Sequence, residues 1–220
     1  MSKIRTALVA GSTGLVGGEL LKQLLEDAAY AQVYSLARRP TGITHPKLAE
    51  IIIDFEHLSE ATIPVVDDVF CALGTTIKKA GSQEAFSRVD FHYVVELAKE
   101  ARRSGAAQFM VVSSIMADPS SKNFYLRVKG EMEQAVMNEG PETGLIFRPS
   151  TLVGERQESR WGEKVAISFM KVIDPIFVGS LKKYRNIKAA KVATAMISAA
   201  KSEPGCKRVY QSDEIAEMVD

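Results

Sequence analysis

The sequence predicts an α/β chain built as a doubly wound parallel sheet with a small C-terminal cap. Two observations carry that expectation. Through the first two thirds of the chain, short apolar runs alternate with longer stretches of helical period, as strands joined by crossover helices do. The first run also opens directly into a glycine-rich turn and an apolar-periodic helix, "VAGSTGLVGGEL". At 220 residues the chain suffices for one α/β domain with a full core. Residues 1–220 are therefore expected to form a single domain, with a core over about 1–150 and an irregular cap region over about 151–220.

Taken in order, "TALVA" is the first strand and Leu15 to Asp27 the first helix. "VYSLA", "EIIID" and "VFCAL" supply further strands, and Ser82 to Ser104 follows with helical period. "FMVVS" and "LIFR" continue the pattern, separated by a helix that begins near Asn123. This makes about six parallel strands by residue 148. Further helices are expected at 162–173 and 188–201, in a region punctuated by Pro149, Pro175 and Pro204, because proline interrupts regular elements.

The 28 basic and 27 acidic residues leave a net charge of +1, which gives no electrostatic footprint for nucleic acid or for an acidic surface. Cys71 and Cys206 stand far apart, and no Cys or His has metal-ligand spacing, so neither a disulfide framework nor a metal is indicated. The apolar run after Lys3 and Arg5 is too short for a signal-peptide core. No stretch approaches the ~18 apolar residues that a membrane span needs. A soluble, cytoplasmic protein without an integral membrane segment is expected, as a monomer or a weak homo-oligomer.

Gly11, Gly14 and Gly17 are spaced G-x-x-G-x-x-G directly after the first strand. Glycine there permits a tight turn and lets backbone N–H groups and the helix N-terminus approach a pyrophosphate. With Ser12, Thr13, Leu15 and Val16 they form a candidate dinucleotide cradle. The second strand ends in Arg38 and Arg39, where many dinucleotide folds carry a carboxylate for the ribose 2′-hydroxyl. Two guanidiniums can instead hold a 2′-phosphate by charge-assisted bidentate contacts, which favours NADP(H) over NAD(H); a solvated arginine pair is the competing reading. Asp54 can accept from an adenine amino group with Phe55 beside the ring, or can cap the segment that follows. Ala72, Leu73, Gly74 and Thr75 close the fourth strand, either letting a cofactor cross the sheet at its switch point or making a plain turn.

Chemistry concentrates in "MVVSSIMADPSSKNFYLRVKG". Ser113 and Ser114 end the fifth strand, Tyr125 opens the next helix, and Lys129 lies one helical turn further, roughly 6 Å away on the same face. When hydride reaches a carbonyl carbon, the oxygen gains negative charge and needs a proton donor within reach. A tyrosine serves if a nearby ammonium lowers its pKa from ~10. Lys129 stands where it can do that and bind the nicotinamide ribose, and Ser114 where it can orient the substrate oxygen. Tyr and Lys at this spacing are common by chance; behind a serine pair and a glycine turn they are far more specific.

These motifs resemble the short-chain dehydrogenase/reductase family over essentially the whole chain. More narrowly, "CALGTTIKKAGS", "VSSIMADPSSKNFYLRVKGEME" and "FRPSTLVGERQESR" are similar to the atypical subgroup that includes the Tat-interacting tumour-suppressor protein and its bacterial relatives. The resemblance implies a Rossmann-type fold, NADP(H) binding, and Ser114, Tyr125 and Lys129 as a catalytic triad. It also implies that Pro149, Ser150, Thr151 and Leu152 line the nicotinamide side. Asp90 takes the place of the helix asparagine that in the wider family maintains a proton relay to the lysine. A second role is implied as well, because the Tat-interacting member is held to have a displaced tyrosine and to use NADP as a structural or sensing ligand.

The expected function is NADP(H)-dependent reduction of a small-molecule carbonyl. One alternative is a non-catalytic NADP(H)-dependent sensor with a protein partner. Another is a sugar-nucleotide epimerase or dehydratase, for which the cap is short. Lys78, Lys79, Arg148, Arg156 and Arg160 either ring an acidic substrate or are solvated. The segment "VAISFMKVIDPIFVG" is either a membrane-surface or subunit contact or a core or cap helix.

Overall fold

The computed structural model describes residues 4–153, 185–202 and 209–219. Six strands precede residue 149: β1 (Arg5–Ala10), β2 (Tyr30–Ala37), β3 (Leu48–Ile52), β4 (Asp68–Cys71), β5 (Gln108–Val112) and β6 (Thr143–Arg148). Between them run α1 (Leu15–Glu26), α2 (Ile77–Ala80), α3 (Gln83–Ser87), α4 (Tyr93–Arg103) and α5 (Phe124–Glu139). Beyond them lie β7 (Leu152–Val153), β8 (Ile187–Lys188), α6 (Ala189–Lys201), β9 (Val209–Gln211) and α7 (Ser212–Glu217). The main sheet has seven strands in the order β3-β2-β1-β4-β5-β6-β9, while β7 and β8 pair separately. Every pairing is parallel. The strand order reverses between β1 and β4, the switch point at which such sheets bind ligands.

Strand residues alternate between two cores, as the two-residue period of a pleated strand requires. Ala7 and Val9 of β1, Phe70 of β4, Met110 of β5 and Phe147 of β6 join Leu20, Leu21 and Leu24 of α1 and Val192, Ala193 and Met196 of α6. Leu8, Ala10, Val69, Cys71, Phe109, Val111 and Ile146 point the other way, to Val94, Leu97 and Ala98 of α4 and Met132 and Val136 of α5. Both faces are thus covered, which explains why the strands read as nearly unbroken apolar runs.

The described C-terminal residues do more than cap the sheet. β9 pairs with β6 and extends it, and α6 covers α1. The helix expected at 162–173 lies outside the described residues; that expected at 188–201 is α6. The stretch 82–104 is helical but not uniform, since Arg88–His92 forms a π turn between α3 and α4. A short 3-10 helix, Phe55–Glu60, follows β3.

Four strands start on one buried carboxylate. Asp68, fully buried, accepts from Arg5 Nε at 2.6 Å, Arg5 Nη2 at 2.5 Å, Tyr30 Oη at 2.8 Å and Gln108 Nε2 at 2.9 Å. Gln108 also donates to the carbonyl of Ala200 in α6. Burial, reinforced by Asp68, pushes the Tyr30 phenol well above its ordinary value, so it remains a donor to the carboxylate.

Helix α5 sits close to the loop before it, because Gly130 has no side chain. A Cβ there would lie 2.2 Å from Pro119 N and 2.4 Å from Asp118 C, and backbone atoms cannot rotate away. Gly130→Ala is expected to cost about 1–3 kcal/mol through overpacking, lowering Tm by several degrees in thermal denaturation. An unchanged Tm would show that the loop yields freely.

Candidate functional site

The glycine turn is sterically compelled. Gly11 has φ +84°, and a Cβ on it would stand 2.6 Å from the carbonyl oxygen of Ala72. A Cβ on Gly17 would stand 2.1 Å from the carbonyl oxygen of Gly11. The turn therefore lies flat against the end of β4. Gly14 is exposed and forms the N-cap of α1 without any side-chain cap bond, so the N-terminus of this helix presents backbone N–H groups to an anion. Ser12 is buried, and its Oγ lies 2.7 Å from that of Ser35. Thr13 is exposed and Leu15 half-buried. Arg38 and Arg39 emerge exposed immediately after β2, one strand away from the turn.

Asp90 and Lys129 meet in the interior. Lys129 Nζ lies 2.7 Å from Asp90 Oδ1, with side-chain exposures of 5% and 1%. The second oxygen, Asp90 Oδ2, accepts from the backbone N–H of Thr75 at 2.8 Å. Gly74 lies over the pair: a Cβ there would be 3.3 Å from Asp90 Oδ1 and 3.9 Å from Lys129 Nζ. Burial alone would pull the lysine pKa down; the Asp90 carboxylate, with Tyr125 and Cys71 adding to it, outweighs burial and holds Lys129 above its ordinary range. The ammonium is permanent at neutral pH. Cys71, beneath it, is pushed up to about 12, chiefly by burial, and stays an unreactive thiol.

Tyr125 is half-buried in the first turn of α5, behind the Asn123 cap, which accepts from the N–H of Leu126 at 3.2 Å. Its ring centroid lies 5.5 Å from that of Phe86 in α3. Ser114, half-buried, directs its hydroxyl only to the adjacent Ile115 carbonyl, at 3.3 Å. Met116, in the same loop, has φ +62° and is exposed. The loop is tied to β6 by Ser113 N donating to Phe147 O at 2.7 Å and by Ile115 N donating to Pro149 O at 3.0 Å. Thus Gly74, Thr75, Asp90 and Lys129 come together, Tyr125 stands one turn away, and Ser114 and Pro149 approach along the β5 and β6 ends.

Several of the expected side chains have partners within the fold. Phe55 is buried and its ring stacks on Tyr93 at 5.7 Å, so it belongs to the core and is no free platform for adenine. Asp54 caps the 3-10 helix by accepting from Glu56 N at 3.1 Å. Val16 is a core residue, leaving only its backbone to the cradle. Ser150 is engaged twice, its N–H with Ser212 Oγ at 3.1 Å and its own Oγ with the carbonyl of Arg185. Thr151 is exposed and Leu152 half-buried, and the carbonyl of Thr151 accepts from Ile187 N. Arg148 is no free substrate cation: it forms a bidentate pair with Glu133. Lys78 and Lys79 stand exposed on α2. Arg156, Arg160 and the segment at 165–179 lie outside the described residues.

A family model described as NAD(P)H-binding matches residues 11–203. Protein HTATIP2 of Rattus norvegicus is 36% identical over 170 residues, covering 75% of this chain and 70% of that protein. The chain belongs to the NAD(P)H-binding, HTATIP2-like family of atypical short-chain dehydrogenases/reductases. Within this family, the mitochondrial protein FMP52 of Candida glabrata is 32% identical over 230 residues, covering 100% of this chain and 97% of the relative. Among solved structures, MoeE5 in complex with UDP-glucuronic acid and NAD has a TM-score of 0.69 at 18% identity, covering 93% of this chain and 75% of that one. Human epimerase family protein SDR39U1 with NADPH has a TM-score of 0.62 at 16% identity, covering 90% and 70%. At that identity both show the Rossmann-type fold alone.

One expectation is overturned by these relatives. Two cysteines without a disulfide or metal pattern gave the expectation of a reducing cytoplasm, yet FMP52 relatives from several fungi are named mitochondrial. Composition cannot report an address that a receptor reads. Among the described residues, no helix is long and apolar enough to cross a membrane, and no cluster of His, Cys, Asp and Glu could hold a metal ion.

Two participants escaped the sequence reading, Gly130 and Glu133. The second had a signal, since a glutamate one turn beyond Lys129 sits on the same helical face. For the pair that was anticipated, removing one partner leaves a buried charge alone. Asp90→Ala is expected to cost about 3–5 kcal/mol at pH 7, measured by urea unfolding. Because the lysine pKa is raised in the folded state, its stabilisation is complete below the unfolded value of ~10.4 and fades as pH rises through the folded value. The gap between wild type and variant should therefore narrow above that range; a pH-independent gap would contradict the ion-pair account.

Proposed function

We propose that the protein is an NADP(H)-dependent oxidoreductase that reduces a carbonyl through Ser114, Tyr125 and Lys129. The observation that carries this reading is the buried Lys129 ammonium, held charged by Asp90 one helical turn from Tyr125 and beside the end of β4. The turn suits a dinucleotide: without a Cβ, Gly11 packs against the end of β4 and Gly17 against the carbonyl of Gly11, and the α1 N-terminus, with no side-chain cap bond, offers its backbone N–H groups to a pyrophosphate. Arg38 and Arg39 supply cationic donors suited to a 2′-phosphate. Bound there, the nicotinamide would supply hydride. Tyr125 donates its proton to the carbonyl oxygen as charge develops, Ser114 hydrogen-bonds the same oxygen, and Lys129 holds the ribose hydroxyls and favours the departing proton through its charge.

A second reading rests on the same ion pair. Asp90 neutralises much of the field of Lys129, so the protein can also be a non-catalytic NADP(H)-dependent module whose surface a partner recognises. The nucleotide-sugar ligands of structural neighbours belong to those proteins, and their likeness carries the fold only.

Tyr125→Phe separates the two readings. Under the first, NADPH consumption with a panel of aldehydes, ketones and quinones falls by about 10²-fold or more, while calorimetric affinity for NADPH stays within about twofold. Undiminished turnover in that variant would sink the triad. The cofactor assignment is checked separately: Arg38→Ala with Arg39→Ala should weaken NADPH by about 10- to 100-fold, as the loss of charge-assisted bonds predicts, and NADH far less. Equal losses for both would overturn the 2′-phosphate assignment.

A further inference from the structure

We propose that Glu133 is a positioning residue whose carboxylate registers the three elements that carry the site. The proposal rests on the oxidoreductase reading and adds a residue to it. Glu133 lies on α5, one turn beyond Lys129 and two beyond Tyr125, and is 5% exposed. Its Oε1 accepts from Ser113 Oγ at 2.5 Å and from Arg148 Nε at 2.9 Å. Its Oε2 accepts from Arg148 Nε at 3.2 Å and from Arg148 Nη2 at 2.5 Å. Ser113 is the residue before Ser114, and Arg148 is the residue before Pro149. One carboxylate thus links the helix of Tyr125 and Lys129, the strand end of Ser114 and the strand end that begins the 149–152 segment.

Backbone bonds already join the strand ends to each other, from Ser113 to Phe147 and from Ile115 to Pro149. Helix α5 meets the loop after β5 through Asp118 N, which donates to Leu126 O at 3.1 Å, and through the close approach at Gly130, but neither contact reaches the end of β6. Glu133 ties α5 to both strand ends at once through charge-assisted bonds, which are short and directional. Stability alone gives no reason for a charge here, because well-packed apolar side chains often replace a buried ion pair without loss. Geometry does give a reason. A shift of about 1 Å in reacting groups can cost about 10²-fold in rate.

The test compares Glu133→Gln, Tyr125→Phe and their combination for NADPH-dependent turnover of the carbonyl panel, NADPH affinity and amide hydrogen exchange. Glu133→Gln should lower kcat by about 10- to 100-fold with NADPH affinity nearly unchanged. It should add no further rate loss to Tyr125→Phe, as expected when two residues act as one unit. Exchange at the Ser113, Ile115 and Asp118 amides should quicken by about tenfold or more, while β1 amides stay protected. A residue that only stabilises the fold would speed exchange everywhere and leave kcat per folded molecule at the wild-type value, which would overturn the proposal. If Glu133→Gln does not fold, Glu133→Leu with Arg148→Met keeps an apolar pair of similar bulk; wild-type kcat in that folded variant would refute the role. If Tyr125→Phe retains full turnover, the triad fails and exchange still decides: unchanged protection at the three amides overturns the positioning role on its own.

Discussion

The Asp90 carboxylate reaches in two directions, to the Lys129 ammonium at 2.7 Å and to the Thr75 N–H at 2.8 Å. Each charge taken from water costs several kcal/mol, and only close pairing with further hydrogen bonds offsets that cost. Neither group is tenable alone at this depth. The helical stretch holding Asp90, the loop after β4 and helix α5 must therefore assemble around the pair together. Gly74 is part of the same constraint, since it lets the β4 loop pass directly over the two charges. The π turn at Arg88–His92 widens the helix where Asp90 leaves it, a local departure that recurs at functional sites.

The rest of the sheet is polarised around this arrangement. At the start of the strands Asp68 gathers Arg5, Tyr30 and Gln108 into one buried network. At the carboxyl ends the strands stop against glycine, a bare helix N-terminus and half-buried hydroxyls. A parallel sheet brings all its strand ends to the same edge, so residues far apart in sequence, such as Gly11, Asp90 and Lys129, share one region without any local signal. The two halves have different tasks. One end ties four strand starts together; the other sets backbone donors beside the buried, Asp90-paired ammonium of Lys129.

Much of this was legible in the sequence, for physical reasons that can be named. Apolar runs covered on both faces marked the six strands through Arg148, and the glycine spacing marked a turn in which two Cβ atoms would collide with backbone. Tyr125 and Lys129 were visible because a helix places such a pair on one face. What remained hidden depended on contacts distant in sequence. Asp54 reads from sequence as cap or adenine partner, and only the structure shows that it caps the 3-10 helix through Glu56 N. Phe55 is as apolar as any ring platform, and only packing against Tyr93 assigns it to the core. β9 is three half-buried residues whose strand character comes from β6 beside it. Glu133 resembles any surface glutamate of an amphipathic helix until Ser113 and Arg148 are found on it.

Asp90 also separates binding from chemistry at this site. A lone lysine in such a setting would be driven toward the neutral amine by burial, and a neutral amine offers ribose hydroxyls weaker donors and Tyr125 no field. The carboxylate makes the ammonium permanent, which under the proposed reading serves cofactor binding whatever the reaction. It also cancels part of the positive potential that reaches the tyrosine, since opposite charges 2.7 Å apart act at a distance as a dipole. A neutral asparagine at this position would leave the field of the lysine undiminished but its charge unsupported, so an aspartate trades field strength for constancy of charge. Under the proposed carbonyl reduction, chemistry would then rest more heavily on how closely Tyr125 and Ser114 are held to the substrate oxygen than on how strongly Lys129 acts on the tyrosine, and that places the demand on the elements beneath them.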